Sequence, residues 1–207
     1  MPRSLDHPGE AHFAEELPCI PSMTAVLRLL GYRTNRTTIG RETEKLLQRV
    51  FQEAPAMVRP RGVWTTVVLG EAQGGKTGAD RARVLSGAGA VAAAVCTIGS
   101  ALEKHASRLS RDGELALASV FDAWGSESVE ILAQHLQDHI KQHVPGSVTA
   151  GNRLSPGYRR WPVEDQAWLF ALVPADRIGV GLTAGFMMVP RKSISFVMKL
   201  RTKENAR

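Results

Sequence analysis

Apolar positions along the chain recur with two different periods, and these periods divide it into elements. From Ile39 to Glu53 the residues Ile39, Leu46, Leu47, Val50 and Phe51 fall on one stripe and charges fill the other, which predicts an amphipathic helix ended by Pro55. Ser22 to Gly31 reads as a shorter helix, with Ser22 as N-cap and Gly31 as stop. Residues 62–69 are rich in β-branched side chains around Trp64 and predict a strand. Ala90 to Ile98 (AVAAAVCTI) is apolar throughout, so periodicity alone leaves it as a buried strand or a buried helix. Its small side chains predict that other elements approach it closely.

Residues 100–111 read as a helix with Ser100 and Glu103 at capping-box spacing. The longest helical pattern runs from Glu114 to Val144, with Val129, Leu132, Ala133, Leu136 and Ile140 on one stripe and a kink expected at Trp124-Gly125-Ser126. Residues 151–161 read as a loop, after which Pro162 opens a helix over VEDQAWLFALV. Residues 182–189 and 193–200 read as two strands joined by Pro190-Arg191-Lys192. Residues 1–20 are polar and are expected to be a disordered leader, which leaves one domain over 21–207.

Composition narrows the function classes. The chain has 207 residues, 43% of them hydrophobic, enough for one domain with a real core. No run approaches the ~20 apolar residues of a membrane span, and the first residues have no secretory pattern, so the expectation is a cytoplasmic protein with no membrane partner. The net charge of +6 is scattered in local clusters without interleaved aromatics, which argues against nucleic acid. Cys19 and Cys96 lie far apart with no C-x-x-C pattern, so two reduced thiols are expected and no cysteine metal site.

Two candidate chemistries lose force in context. Gly70 to Thr77 matches the phosphate-binding pattern G-x-x-x-x-G-K-T after a strand. A P-loop also needs a helix starting at the Lys-Thr pair and a metal-binding aspartate at a strand end. Here Gly78 follows at once, a short helix is expected only over Ala79 to Leu85, and Asp122 and Asp176 close runs in helical segments. The stretch therefore reads as a turn, with Lys76 on the surface. His135, His139 and His143 share one helix face and could bind a metal, but Gln134, Gln137, Asp138, Lys141 and Gln142 surround them as on a solvated face. No metal site is assigned.

The most informative stretch is RLSPGYRRWPVEDQAW, residues 153–168. Arg153 can fork onto a carboxylate, Gly157 allows close backbone approach, and Tyr158 offers a flat face and a hydroxyl. Such a set suits an amino acid or a nucleoside, and it equally suits a structural turn with one surface arginine. The R-x-S-P-G-Y element, the following W-P-x-E-D-Q and the later L-T-x-x-F-M-M-x-P-x-K-S-x-S occur in order. In this combination the chain resembles the activation (reactivation) domain of cobalamin-dependent methionine synthase, in a stand-alone form.

The resemblance implies an α+β domain with a curved antiparallel sheet flanked by helices. It implies S-adenosylmethionine as bound ligand and a partner that carries cobalamin: a corrinoid protein or methyltransferase subunit. A flavodoxin-like or other donor would supply an electron for reductive methylation of cob(II)alamin. On this chain Arg153 would pair with the ligand carboxylate, and backbone groups of Ser155 and Gly157 would hold it. Tyr158 would stand between ligand and corrin, the one candidate for a catalytic part. Glu130 would face the ammonium or sulfonium. Asp122, in D-x-x-G-S, is a ligand contact or a helix organiser, and Ser193 and Ser195 face one side of the last strand. The family's D-W-x-P-F-F segment, its C-terminal aromatics and a D-x-H-x-x-G corrinoid motif are missing. Action on a partner in trans follows, with two alternatives: a docking module without a methyl donor, and a P-loop nucleotide-binding protein.

Overall fold

The computed structural model describes residues 7–33, 38–69, 76–158 and 160–202. Among the described residues eight strands are formed: β1 His7–Pro8, β2 His12–Glu15, β3 Arg61–Val68, β4 Ala90–Thr97, β5 Val148–Leu154, β6 Gly181–Leu182, β7 Met188–Val189 and β8 Ser193–Thr202. Six α-helices accompany them: α1 Met23–Leu29, α2 Arg41–Glu53, α3 Lys76–Val84, α4 Ala101–Arg111, α5 Leu115–His143 and α6 Gln166–Leu172. The main sheet has the order β1-β3-β4-β8-β5, with β2 also on β3, and all its pairings are antiparallel.

The ambiguous apolar run is a strand, β4, at the centre of this sheet. Alternation sends its side chains to opposite faces. Ala92, Ala94 and Cys96 join Trp64, Phe196 and Met198 in a core roofed by α2, α4 and α5. Val91, Ala93 and Val95 join Val63, Val67 and Val197 under Trp161, Leu169, Val173 and Ile178. The small residues let helix and sheet come close: a Cβ on Gly62 would lie 3.0 Å from Leu136 Cδ2 of α5. The predicted periods hold on both sides. Leu47 and Val50 of α2 are fully buried, and Ser22 Oγ accepts the Ala25 N–H at the start of α1.

Several expectations are corrected. From His7 onward the leader is ordered, because its backbone pairs with β3 and His12 stacks on Trp64 at 4.4 Å. α5 runs unbroken for 29 residues through Trp124-Gly125-Ser126. There a Cβ on Gly125 would lie 2.6 Å from Leu102 Cδ2, so the glycine serves helix contact. Ser100 makes no side-chain cap; Glu103 Oε2 instead accepts the backbone N–H groups of Arg191 and Lys192 at 2.8 and 3.3 Å. Residues 182–189 do not pair with β8. They fold back on themselves as β6 and β7, with a turn in which Thr183 Oγ1 accepts the Met187 N–H.

The P-loop reading meets a topological obstacle. Residues 70–75 lie outside the described residues, and α3 begins at Lys76, earlier than its sequence predicts. Yet the strands on either side of α3, β3 and β4, are antiparallel neighbours. A phosphate-binding βαβ unit needs parallel strands. Asp122 and Asp176 lie in α5 and in the 3-10 turn Ala175–Ile178. No helix among the described residues is long and apolar enough to cross a membrane.

Candidate functional site

Arg153 stands on a strand, where the sequence predicts a loop. β5 is the outer strand beside β8, and its polar stretch Gly151-Asn152-Arg153 hides the strand period. Ala150 and Arg153 pair with Leu200 and Met198, so three steps along β5 match two along β8. This extra residue is a β-bulge, a device that re-aims side chains at a sheet edge. Arg153 then lies on the α5 side, with its guanidinium 5.7 Å from the Phe196 ring centre. Its Nη2 donates to Glu130 Oε2 of α5 at 3.3 Å.

The chain next makes a tight turn. Gly157 has φ +88°, a conformation that favours glycine. Its N–H donates to the Trp161 carbonyl at 2.9 Å, and the Tyr158 N–H donates to the Ser155 carbonyl at 3.3 Å. The Gly157 N–H expected to hold a ligand is thus committed to the turn. The W-P-x-E-D-Q element supplies the support. Trp161 Nε1 donates to Asp165 Oδ2 at 2.6 Å, Arg81 of α3 pairs with Asp165 Oδ1 at 3.4 Å, and Gln166 Oε1 accepts from Ser195 Oγ at 2.7 Å.

Around these groups lies a cavity of about 760 Å³, whose walls include Glu130, Gln134, Gln137, Arg153, Ser155 and Tyr158. Tyr158 is 72% exposed and stands at the rim. Ser193 and Ser195 face this cavity and are buried, not solvated. Ser193 Oγ bonds to Thr97 Oγ1 and the Pro190 carbonyl at 2.9 and 2.7 Å. Chemically, an arginine and a carboxylate in one cavity can hold the carboxylate and ammonium of an amino acid.

Other candidates fall outside this group. Asp122 is an organiser: its carboxylate and carbonyl, together with Ser126 Oγ, hold the buried Lys192. Cys19 and Cys96 are free and buried, and burial pushes the Cys96 thiol up to about 12. His139 and His143 stack at 4.0 Å, and burial, with His143 and His12 nearby, holds the His139 imidazole below its usual range. Among the described residues no group of three His, Cys, Asp or Glu side chains is placed to hold a metal ion. Gln137, expected on a solvated face, is 6% exposed and points into the cavity wall. Its spacing from Glu130 and Gln134 (i, i+4, i+7) was a legible stripe whose polarity disguised it.

A helix-backed antiparallel sheet with a cavity at its edge strand defines an α+β domain. No protein-family model matches the sequence, and no curated protein does. Among solved structures, the chain is similar to the MetH reactivation domain bound to AdoHcy, with a TM-score of 0.68 and 17% identity over 96% of this chain and 81% of that one. The chain therefore has the fold of the MetH reactivation domain.

Proposed function

We propose that the protein is an accessory component of a cobalamin-dependent methyltransferase system that binds S-adenosylmethionine and supports reductive methylation of cob(II)alamin carried by a partner. The observation that carries this reading is Arg153: a guanidinium with five donors, in a cavity, making one 3.3 Å contact to Glu130. The ligand carboxylate takes the unused fork of Arg153, and Glu130 turns to the ammonium. Tyr158 at the rim meets the partner. A partner-bound cobalamin, once reduced by one electron from a flavodoxin-like donor, would supply the nucleophile for the sulfonium methyl, while Arg153 and Glu130 would keep hold of the S-adenosylhomocysteine that remains. This chain's own part is binding, orientation and docking.

The alternative of a docking module without a methyl donor draws on the same contact, because Glu130 already neutralises Arg153 in the absence of ligand. Isothermal titration with S-adenosylhomocysteine decides between them. Saturable heat that falls by about 10- to 100-fold in affinity with Arg153→Ala supports methyl-donor binding. An absence of heat with the unaltered protein removes it and leaves the docking module.

A further inference from the structure

Arg61 opens β3, with β4 between it and the cavity strands β8 and β5. Its side chain is partly buried, and its Nε is fully buried with no hydrogen-bond partner. The rest of its guanidinium likewise forms no hydrogen bond or ion pair among the described residues. Arg59, two residues earlier, is different: its Nη1 donates to the carbonyls of Ala56 and Val58 at 3.2 and 2.8 Å. A cation drawn partly out of water without gaining an acceptor is costly, and its retention calls for a physical reason. Alternation along β3 puts Arg61 on the face of Val63, under the 3-10 turn Ala175–Ile178. That turn carries a second guanidinium. Arg177 is exposed, lies 4.2 Å from the Phe13 ring centre, and has no hydrogen bond or ion pair among the described residues. Phe13 pairs with Val63, so it is the diagonal neighbour of Arg61 on this face. The turn ends at Gly179, an exposed glycine with φ +76°, and a Cβ on it would lie 3.6 Å from Arg61 Nη2. The bare backbone there leaves room at the tip of the Arg61 fork.

We propose that Arg61 and Arg177 form an anion site that takes the phosphate group of a small molecule. A guanidinium fork meets phosphate oxygens two at a time. A phosphate spreads its charge over several oxygens and can serve two forks from separate elements, whereas a carboxylate has only two oxygens to offer. Arg61 supplies the partly buried fork. Arg177 supplies the exposed one, held over Phe13 by cation–π attraction. Two carboxylates border the site: Glu15, opposite Arg61 in the β2–β3 register, and Asp176, next to Arg177 in the turn. Neither forms an ion pair among the described residues, so neither neutralises the two cations by contact. Their charge opposes an incoming anion and keeps the site weak.

The test follows the thermal midpoint of the full chain as inorganic phosphate is added, with chloride holding the ionic strength constant. Phosphate is expected to raise the midpoint by about 3 °C once it exceeds its dissociation constant tenfold. Acetate at the same ionic strength is expected to leave it unchanged. Arg61→Leu keeps the apolar stem and removes the charge and the unpaired Nε–H. It is expected to abolish the phosphate response while matching or exceeding the midpoint of the unaltered protein in chloride alone. Arg177→Gln, at an exposed position that leaves the core intact, is expected to weaken phosphate several-fold and keeps the test valid if the Arg61 variant folds poorly. Glu15→Gln is expected to tighten phosphate several-fold. A phosphate response that persists in both arginine variants marks an adventitious ion only and overturns the site. No response in the unaltered protein, or an equal response to acetate, overturns it as well.

Discussion

Two cations join the long helix to the sheet, and they are used in opposite ways. Lys192 has three donors and three short contacts: Asp122 Oδ1 at 2.8 Å, the Asp122 carbonyl at 3.0 Å and Ser126 Oγ at 2.7 Å. Its side chain is 10% exposed. Arg153 has five donors and one contact at 3.3 Å, in a side chain 24% exposed. A cation whose hydrogen-bonding capacity is filled holds the fold together. One whose capacity is mostly unused, in a cavity, is available to a ligand. Asp122 and Glu130, both acids of α5, thus pair with cations of different exposure: Lys192 at 10% and Arg153 at 24%.

The comparison breaks if the two cations respond alike. The largest effect is expected for Lys192→Ala, which removes three contacts from the joint and leaves the Asp122 carboxylate without its cation, while Ser126 Oγ still donates to the Asp122 carbonyl. We expect a loss of about 2–3 kcal/mol in chemical denaturation, with the loss moderated because Asp122 is half exposed. Gly125→Ala places a methyl against Leu102 in the same joint and is expected to cost about 1–3 kcal/mol by the same measurement. Glu130→Gln removes an exposed partner at the other cation. It should change stability by no more than about 0.5 kcal/mol while weakening S-adenosylhomocysteine several-fold in calorimetry.

The smallest effect is electrostatic. The folded chain holds His139 below its usual value of 6.5, so the unfolded chain binds more protons below that pH. His139 therefore contributes stability that is fully present above pH 6.5 and is lost as the pH falls from there through its lowered folded value. Asp138 is held below its usual 3.8 by Gln134 and Lys141, and its contribution disappears only in stronger acid. The expected sign is a stability that declines from pH 7 toward 5.5, with a shallower slope in His139→Gln. A denaturation series across that range measures it.

The parts of the fold that the sequence revealed are those with an uninterrupted period. α2 and the body of α5 each keep one apolar stripe against one core face, and β3 and β8 alternate between the two cores. The R-x-S-P-G-Y turn was legible because only a few residue types satisfy its backbone. The hidden parts are those whose partners lie far away in sequence. Glu103 has the spacing of a local cap, and it serves the backbone of Arg191 and Lys192 some 88 positions on. β5 conceals its strand character because a bulge interrupts the alternation and its outer edge is polar. Gln137 shares a helical stripe with Glu130 and Gln134, but among Asp138, Lys141 and Gln142 the polarity of that stripe conceals its burial. The order of the site follows from contacts between α5, β5 and the Trp161–Gln166 segment, none of which is local.

The short strands β1 and β2 also bear on the edge of the main sheet. β3 is a run rich in β-branched residues, Arg61 to Val68, whose far side is paired among the described residues with two short partners, β1 and β2. Trimming the chain to begin at residue 21 would bare that backbone as an open edge, with Val63, Trp64, Val67 and their hydrogen-bonding groups presented to other molecules. Residues 7–8 and 12–15 thus cover one edge of β3, and a protein shortened past them is expected to form aggregates that a size-exclusion profile reveals.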